Sequence, residues 1–354
     1  MTGRPLARIA AAAVILGVAF ATLLPQPGEV GEVSLCLLCN EERGLADGLA
    51  NLLLFLPVGA TLALLVGLRR AIALSLLYSL AIEVAQLWVP GRHTALADLL
   101  LNTAGGAAGA LLLPRLPELL RPRRRVALAL AAAWLAGGAA ATVGGQALLR
   151  PAPTDSAWFG QWTPRLGNFE AYRGRVVDVR LGDLPLPSTA LADSDAARAT
   201  LARGAALTVE AIAGPSPRAA APIFAVADRE ERQILMLAAD REHIVYRIRT
   251  RAIALGLDSP DLRIHDALAQ VSPGDTLRIR VAPASGAGRT RIDVNGRAVD
   301  AGFSLLDTWA LLLWPTFVAR APALHAAMNV IWLLLLIAPP IGWAAIAARS
   351  GGRA

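Results

Sequence analysis

The sequence predicts a polytopic α-helical membrane bundle of about six transmembrane helices, with an external all-β, jelly-roll-like sandwich between the fifth and sixth. Three observations predict this fold class: long apolar runs, arginine clusters that flank them, and one long stretch of alternating polar and apolar residues. Of the 354 residues, 55% are hydrophobic and only 17% are charged. This composition is typical of membrane proteins and argues against a soluble protein.

Six apolar runs are long enough to cross a hydrocarbon layer about 30 Å thick. They lie at about 8–24, 48–66, 71–89, 96–113, 126–148 and 323–347. The first contains Ala-Phe-Ala at 19–21, which has the form of a signal-peptide cleavage site. We expect it to stay uncleaved because the apolar run continues to Leu24, although cleavage is an alternative. The stretch 305–319 is short and contains Pro315, so it predicts an interfacial or re-entrant segment and not a seventh span.

Arginine predicts the orientation, because the chain contains no lysine. Basic clusters precede the first span and follow the second, fourth and sixth. They contain Arg4, Arg8, Arg69, Arg70, Arg115, Arg121, Arg123, Arg124, Arg125, Arg349 and Arg353. With six spans, all of them lie on one side, which the positive-inside rule assigns to the cytoplasm. We therefore expect an inner (cytoplasmic) membrane protein with both termini cytoplasmic. The net charge of +7 then reflects membrane anchoring and does not indicate nucleic-acid binding.

A β-rich domain is predicted for residues 150–304. In "DTLRIRVAP", Leu277, Ile279 and Val281 alternate with arginines, as expected for a half-buried strand. Asn295-Gly296 lies between two short alternating segments and predicts a β-hairpin. The length of the domain suits a sandwich or jelly roll, and the predicted topology places it outside the membrane.

The predicted domain organisation has four parts. These are a four-helix membrane domain at 1–113, a cytoplasmic basic link with the fifth helix at 114–149, the external sandwich at 150–304, and an interfacial segment with the sixth helix and cytoplasmic tail at 305–354.

Polar residues recur inside the first membrane segments. "DGLANLLLFLPVGA" (47–60) and "DLLLNTAGGAAGA" (98–110) both begin with Asp and have Asn four residues later, which suggests two copies of one hairpin. The i,i+4 spacing places Asp and Asn on one helix face. Glu83 and Gln86 share a face of the intervening helix. We expect these groups to meet in one layer near the outer ends of the helices.

Two interpretations of this layer stay open, because a charged side chain within a span costs about 2.5–3.5 kcal/mol and must be paired or functional. In the first, Arg92 bridges Asp98 and Glu83 and the two asparagines cap helix ends. In the second, Arg92 binds a phosphate or carboxylate, while Glu83 and Asp98 are candidate catalytic groups for proton transfer. The candidate binding residues are Arg92, Asn51, Gln86, Asn102, Asp47 and His93. No nucleophile or metal site accompanies them, so whether the protein is an enzyme stays open.

These segments resemble the VanZ-like family, whose pattern is matched by "NLLLFLPVG" (51–59), "IEVAQ" (82–86) and "PGRHTALADLLLNTAGGAAG" (90–109). The matching positions are Asn51, Phe55, Pro57, Gly59, Glu83, Gln86, Arg92, Asp98, Asn102, Thr103, Gly105 and Gly109. The resemblance covers roughly 8–113. It implies a cell-envelope context and a link to teicoplanin resistance, for which the family is named, but it implies no reaction.

A second resemblance concerns the β domain. The stretch "GNFEAYRGRVVDVRLG" (167–182) resembles the opening of concanavalin-like and laminin-G-like domains. This resemblance implies carbohydrate binding. A spacer or lid without a ligand is the alternative.

Three smaller features of the sequence also support predictions. Cys36 and Cys39 are expected to form a disulfide in an oxidising compartment, since zinc would need two further ligands and a redox role would need a reactive thiolate. Glycines 105, 106 and 109 predict close helix packing. His325 and Asn329, spaced i,i+4, are candidates to join the polar layer. We expect no metal and no cofactor.

The leading functional hypothesis is binding or modification of a cell-envelope glycan or lipid-linked precursor by an outward-facing polar site, with membrane lipids as the other partner. The alternative is a non-enzymatic scaffold or sensor in which the sandwich binds glycan and the helices only anchor it. A small-solute transporter is a weaker third hypothesis, because the polar layer lies only at the outer ends of the helices.

Overall fold

The computed structural model describes residues 3–25, 33–34, 43–92, 94–167, 169–285, 288–313 and 316–351. Cys36 and Cys39, with their predicted disulfide, and His93 lie outside these ranges. The chain divides into two compact units. The membrane unit consists of Met1–Ala139, Leu255–Leu257 and Ile331–Ala354, and the β unit consists of Ala140–Ala254 and Asp258–Val330.

The first part of the chain is helical. Its elements are α1 (Gly3–Leu23), β1 (Val33–Ser34), α2 (Gly44–Val66), α3 (Leu68–Gln86), β2 (Thr94–Ala95), α4 (Leu96–Leu112), a 3₁₀ helix (Leu113–Arg115), α5 (Leu116–Leu120) and α6 (Arg124–Leu148). The two short strands pair in parallel.

The middle of the chain is mostly strand. It contains β3 (Trp158–Trp162), β4 (Arg175–Leu181), β5 (Leu184–Pro185), α7 (Ser194–Ala202), β6 (Leu207–Ile212), β7 (Ala221–Asp228), β8 (Gln233–Asp240), β9 (His243–Ile248), a 3₁₀ helix (Arg251–Leu255), β10 (Leu262–Ile264), β11 (Thr276–Pro283), β12 (Arg289–Val294) and β13 (Arg297–Gly302). A 3₁₀ helix (Leu305–Leu311), α8 (Thr316–Arg320) and α9 (Pro322–Gly351) follow.

Five helical stretches within the described residues are long and apolar enough to cross a membrane. They are Pro5–Leu23, Gly44–Val66, Leu96–Leu120, Arg124–Leu148 and Pro322–Arg349. Each corresponds to one of the six predicted spans. The remaining predicted span, 71–89, falls on α3, which has 19 residues and ends at Gln86. Arg69, Arg70 and Glu83 make α3 less apolar than the other five.

Glycines bring α2 and α4 into backbone contact. A Cβ atom added to Gly59 would lie 1.7 Å from the Gly106 carbonyl oxygen, and one added to Gly109 would lie 1.9 Å from the Leu56 oxygen. No larger residue fits at such positions, and close approach of this kind is how helices associate in a membrane. The predicted packing role of the α4 glycines is therefore confirmed.

The β unit contains two antiparallel sheets, as predicted for an all-β domain. Their strand orders are β10-β9-β8-β7-β3 and β13-β12-β11-β6-β4-β5. Both sheets contribute to one buried core, with Phe224 and Leu237 from the five-stranded sheet and Val209, Leu277 and Ile279 from the six-stranded sheet. The core therefore lies between the sheets.

Two local predictions for this domain are confirmed. Along β11, Leu277, Ile279 and Val281 are buried, while the intervening arginines are exposed. β12 and β13 pair as an antiparallel hairpin around Asn295 and Gly296. These two residues have φ values of 50° and 88°, as the two central residues of a type I′ turn require.

The described part of the predicted interfacial segment, 305–319, contains only short helices. The 3₁₀ helix Leu305–Leu311 has seven residues and α8 has five, so neither could cross a membrane. Ser304 and Asp307 form a capping box at the start of the 3₁₀ helix. Trp309, Ala310 and Leu311 are buried in the β unit.

Candidate functional site

Polar side chains from three helices of the membrane unit lie close together, and we call this group the polar layer. It comprises Asn51 of α2, Ser79, Glu83 and Gln86 of α3, and Asp98 and Asn102 of α4. The spacing of three or four residues within each helix places these groups on one face. The glycine contacts between α2 and α4 bring those faces together.

Asn51 and Asp98 join α2 to α4. The Asn51 Nδ2 donates to Asp98 Oδ1 at 2.6 Å. An amide that donates to a carboxylate forms a charge-assisted hydrogen bond, which is stronger than one between neutral groups. The asparagine of the first repeated segment therefore bonds directly to the aspartate of the second.

Glu83 joins α3 to the start of α4. Its side chain is only 3% exposed, and Oε2 accepts from the Ala95 backbone N–H at 3.1 Å. The Thr94 hydroxyl donates to the Glu83 main-chain oxygen at 3.0 Å. Ala95 is the N-cap residue of α4, so this carboxylate lies where the helix dipole favours negative charge.

Among the described residues, Asn102 and Gln86 each form side-chain hydrogen bonds through nitrogen only. Asn102 Nδ2 donates to Ser79 Oγ at 3.1 Å, and Gln86 Nε2 donates to the Thr22 carbonyl at 3.1 Å. The side-chain oxygens of both residues are buried and have no hydrogen-bond partner among the described residues. Since buried acceptors are nearly always satisfied in native proteins, these two oxygens mark positions suited to an additional donor.

Arg92 binds the end of α1. Its Nη2 donates to the Ala21 carbonyl at 2.9 Å and its Nε to the Leu24 carbonyl at 3.1 Å. The last carbonyls of a helix have no partner within the helix, and a cation placed there also interacts favourably with the helix dipole.

The predicted bridge from Arg92 to Asp98 and Glu83 is therefore wrong. In the described part of the chain Arg92 forms no ion pair with either carboxylate, because the carbonyls at the end of α1 occupy it. The prediction that Asn51 and Asn102 cap helix ends is also wrong. Both lie inside their helices and bond to a neighbouring helix.

Two other predicted residues have different surroundings. Asp47 Oδ1 lies 3.7 Å from Arg43 Nη2, and nearly half of each side chain is exposed. His325 and Asn329 both bond Asp307 Oδ1, at 2.7 and 2.8 Å, so they belong to a hydrogen-bond network with the 3₁₀ helix of the β unit. Burial alone would raise the pKa of Asp307, but hydrogen bonds from His325, Ser304 and Asn329 lower it to about 2.

Sequence reasoning missed the serines of α3. Ser75 and Ser79 are fully buried, and with Glu83 they form an i,i+4 series along one face. That spacing is visible in the sequence and would have extended the predicted layer along the helix. No local signal reveals the backbone partners Thr22 and Ala95, because any residue could supply a main-chain group.

Comparison with known protein families gives one match. The family model described as VanZ/LLP1 matches residues 12–119, a range that includes the whole polar layer and that begins within α1 and ends within α5. Comparisons with curated proteins and with solved structures find no match.

Proposed function

We propose that the VanZ/LLP1 region of this chain, residues 12–119, presents an outward-facing polar site that binds or modifies a cell-envelope glycan or lipid-linked precursor. The observation that carries the proposal is a pair of buried oxygens, Gln86 Oε1 and Asn102 Oδ1, that have no hydrogen-bond partner in the described part of the chain. An unsatisfied buried acceptor costs about 1–3 kcal/mol. Hydroxyl groups of a sugar would supply the missing donors.

The positive charge of Arg92 suits an anionic part of the same ligand. Arg92 uses Nε and Nη2 to bind the end of α1, and Nη1 has no partner among the described residues. A guanidinium held in this way is preorganised to donate to a phosphate. Arg92 is therefore proposed to bind the anion while it stabilises the end of α1.

The two carboxylates are the candidates for proton transfer. Ala95 engages Glu83 Oε2, and no described residue bonds Oε1. Asn51 holds Asp98 in a fixed orientation. A positioned carboxylate within reach of a ligand hydroxyl is the minimum that general acid–base catalysis requires. Binding without chemistry needs only the amides and Arg92.

The proposed topology has six crossings, both termini in the cytoplasm and the β unit outside, in the inner membrane. α3 would be the sixth crossing, because its 19 residues span roughly 28 Å at the rise of an α-helix. The arginine clusters then all lie on the cytoplasmic side. In this topology the polar layer faces away from the cytoplasm, toward the cell envelope.

Lipid-extract mass spectrometry of purified protein tests the proposal. Wild type is compared with Glu83→Gln and Arg92→Ala, and with Glu118→Gln and Arg115→Ala, which change the same residue types outside the polar layer. A specific phospho-glycolipid should co-purify with wild type and both controls, and Arg92→Ala should lose it when equal amounts of folded protein are compared. Equal retention by all five proteins would contradict the proposal.

Two further readouts distinguish modification of the ligand from binding alone and test the link to teicoplanin resistance. If the site modifies its ligand, Glu83→Gln should retain a lipid of different mass from the one that wild type retains. If it only binds, the masses should be identical. Teicoplanin susceptibility of cells that express wild type or Arg92→Ala tests the link to resistance. If the protein is only a membrane-anchored scaffold, neither variant should change any of these readouts beyond its effect on folding.

A further inference from the structure

A cavity of about 540 Å³ lies in the β unit between the two sheets. Leu207 and Val281 line it from the six-stranded sheet, and Tyr246, Ile248 and Leu262 line it from the five-stranded sheet. Its volume falls in the range of small-ligand sites, about 300–1,000 Å³.

The walls of the cavity are apolar, and its charged lining is entirely positive. Arg150 and Arg289 line it and are exposed, and no acidic side chain lines it in the part of the chain that the structure describes. Arg289 Nη2 donates to the Asp300 carbonyl at 3.3 Å, which positions the guanidinium, and the Asp300 carboxylate itself accepts hydrogen bonds from Arg291. A sugar would lose hydration in such a cavity with few partners for its hydroxyls.

One side of the cavity is formed by the end of a membrane helix. Gln146 belongs to the last turn of α6, and Leu149 and Arg150 follow it directly. α6 is one of the five helices suited to crossing a membrane. The cavity therefore adjoins the C-terminal end of a helix that is long and apolar enough to cross a membrane, which makes a membrane lipid the apolar ligand to test.

We propose that this cavity binds one hydrocarbon chain of an anionic amphiphile, with Arg150 and Arg289 binding its headgroup. The apolar walls match the chain, and the two guanidinium groups match a carboxylate or phosphate. This site belongs to the β unit and does not depend on the function proposed for the polar layer.

Photolabelling of the full-length protein in nanodiscs tests this inference. One set of nanodiscs contains palmitate with a diazirine in its chain, and another contains phosphatidylglycerol with the same diazirine acyl chain, which distinguishes a free fatty acid from a phospholipid. Labelled peptides are mapped by mass spectrometry. Either probe should label the peptides that contain Ile248 or Leu262, and excess unlabelled lipid should compete. Labelling confined to the membrane helices would overturn the proposal.

A matched pair of tryptophan variants tests the cavity itself. Leu262 on edge strand β10 lines the cavity, whereas Leu184 on edge strand β5 packs against the same core without lining it. Leu262→Trp should reduce labelling by at least about tenfold, because the indole occupies volume that the chain needs. Leu184→Trp should leave it unchanged. Equal labelling of the two variants would overturn the proposal.

Arginine variants test the headgroup site and remain decisive if Leu262→Trp fails to fold. The double variant Arg150→Gln with Arg289→Gln should weaken palmitate labelling about tenfold through loss of charge-assisted contacts. Labelling by a diazirine-bearing hexadecanol of the same chain length should not change. Arg229→Gln, an exposed arginine that does not line the cavity, is the control. Equal loss for acid and alcohol, or no loss for either, would overturn the assignment of the headgroup site.

Discussion

Asn51 Nδ2 lies 2.6 Å from Asp98 Oδ1, and this hydrogen bond connects α2 to α4 at the polar layer of the membrane unit. The same two helices are in backbone contact at Gly59 and Gly106. The side-chain hydrogen bond and the close backbone packing therefore stabilise the same interface, between α2 and α4. The following predictions test these contacts and two others in the β unit.

Removing the Asn51 amide should destabilise the bundle. Asn51→Leu leaves Asp98 without its donor, and hydrogen bonds between membrane helices contribute roughly 0.6 kcal/mol on average and up to about 1.7 kcal/mol. We expect a loss of about 1–2 kcal/mol in SDS-induced unfolding, because a carboxylate loses a charge-assisted partner. Asp47→Asn, which changes a half-exposed carboxylate, should cost much less.

A double variant in which both positions are apolar checks whether Asn51 and Asp98 interact directly. The double variant Asn51→Leu with Asp98→Leu removes both polar groups and should regain part of the stability that Asn51→Leu loses. If the double variant is less stable than either single variant, the direct bond between Asn51 and Asp98 is not the relevant interaction.

A methyl group at Gly59 should separate α2 from α4. The added Cβ of Gly59→Ala would lie 1.7 Å from the Gly106 carbonyl oxygen, so the helices must move apart at a cost of about 1–3 kcal/mol. Gly137→Ala in α6 is the matched control, because nothing lies within 4 Å of its added Cβ. Thermal unfolding in detergent should show a lower Tm for the first variant only. A similar Tm for both variants would be inconsistent with the described helix contact.

Removing Asp240 should destabilise the β unit. Its side chain is fully buried and forms ion pairs with Arg263 at 2.7 Å and Arg320 at 3.0 Å. The Arg263 side chain is itself only 3% exposed. Breaking a buried ion pair by removal of one partner costs about 3–5 kcal/mol, because the remaining charge stays buried.

Hydrogen exchange of the full-length protein measures this loss locally. Asp240→Ala should reduce protection of the amides in β8 and β10, which carry Asp240 and Arg263. Asp183→Ala, which changes an exposed carboxylate in the same unit, should leave protection unchanged. Unaltered exchange in Asp240→Ala would show that the ion pairs contribute little to stability.

Asp307 should make the β unit sensitive to acid. Hydrogen bonds from His325, Ser304 and Asn329 outweigh burial and lower the pKa of Asp307 to about 2 from its usual 3.8. A lowered folded-state pKa contributes stability that is fully present above the unfolded-state pKa and is lost as pH falls toward the folded-state value. The contribution should be about 2 kcal/mol above pH 5 and should disappear between roughly pH 4 and pH 2.

The comparison of wild type with Asp307→Asn checks the sign of this effect. The stability difference, measured by hydrogen exchange of the buried 3₁₀ helix, should be large at pH 6 and should shrink as the pH is lowered to 2. Asp183→Asn should show no such trend. A difference that grows on acidification would contradict the predicted direction.

Local periodicity made much of the architecture predictable. All six predicted spans coincide with helices, because any chain segment in a bilayer must satisfy its own backbone groups and a long apolar run can do so only as a helix. The alternation around Ile279 and the turn at Asn295-Gly296 were predictable for the same kind of reason, since each depends on neighbouring residues alone. The polar faces of α2, α3 and α4 likewise follow from helical spacing.

The sequence by itself thus determined which residues share a face, which segments are helices or strands, and which glycines allow close packing. Only the tertiary structure decided how these faces pair. It directed Arg92 to the carbonyls of α1, joined Asn51 to Asp98, placed His325 on Asp307, and left an apolar cavity between the sheets. The physical reason is that partners far apart in the chain compete for the same donors and acceptors, and main-chain carbonyls carry no mark in the sequence that shows which of them will be left unpaired.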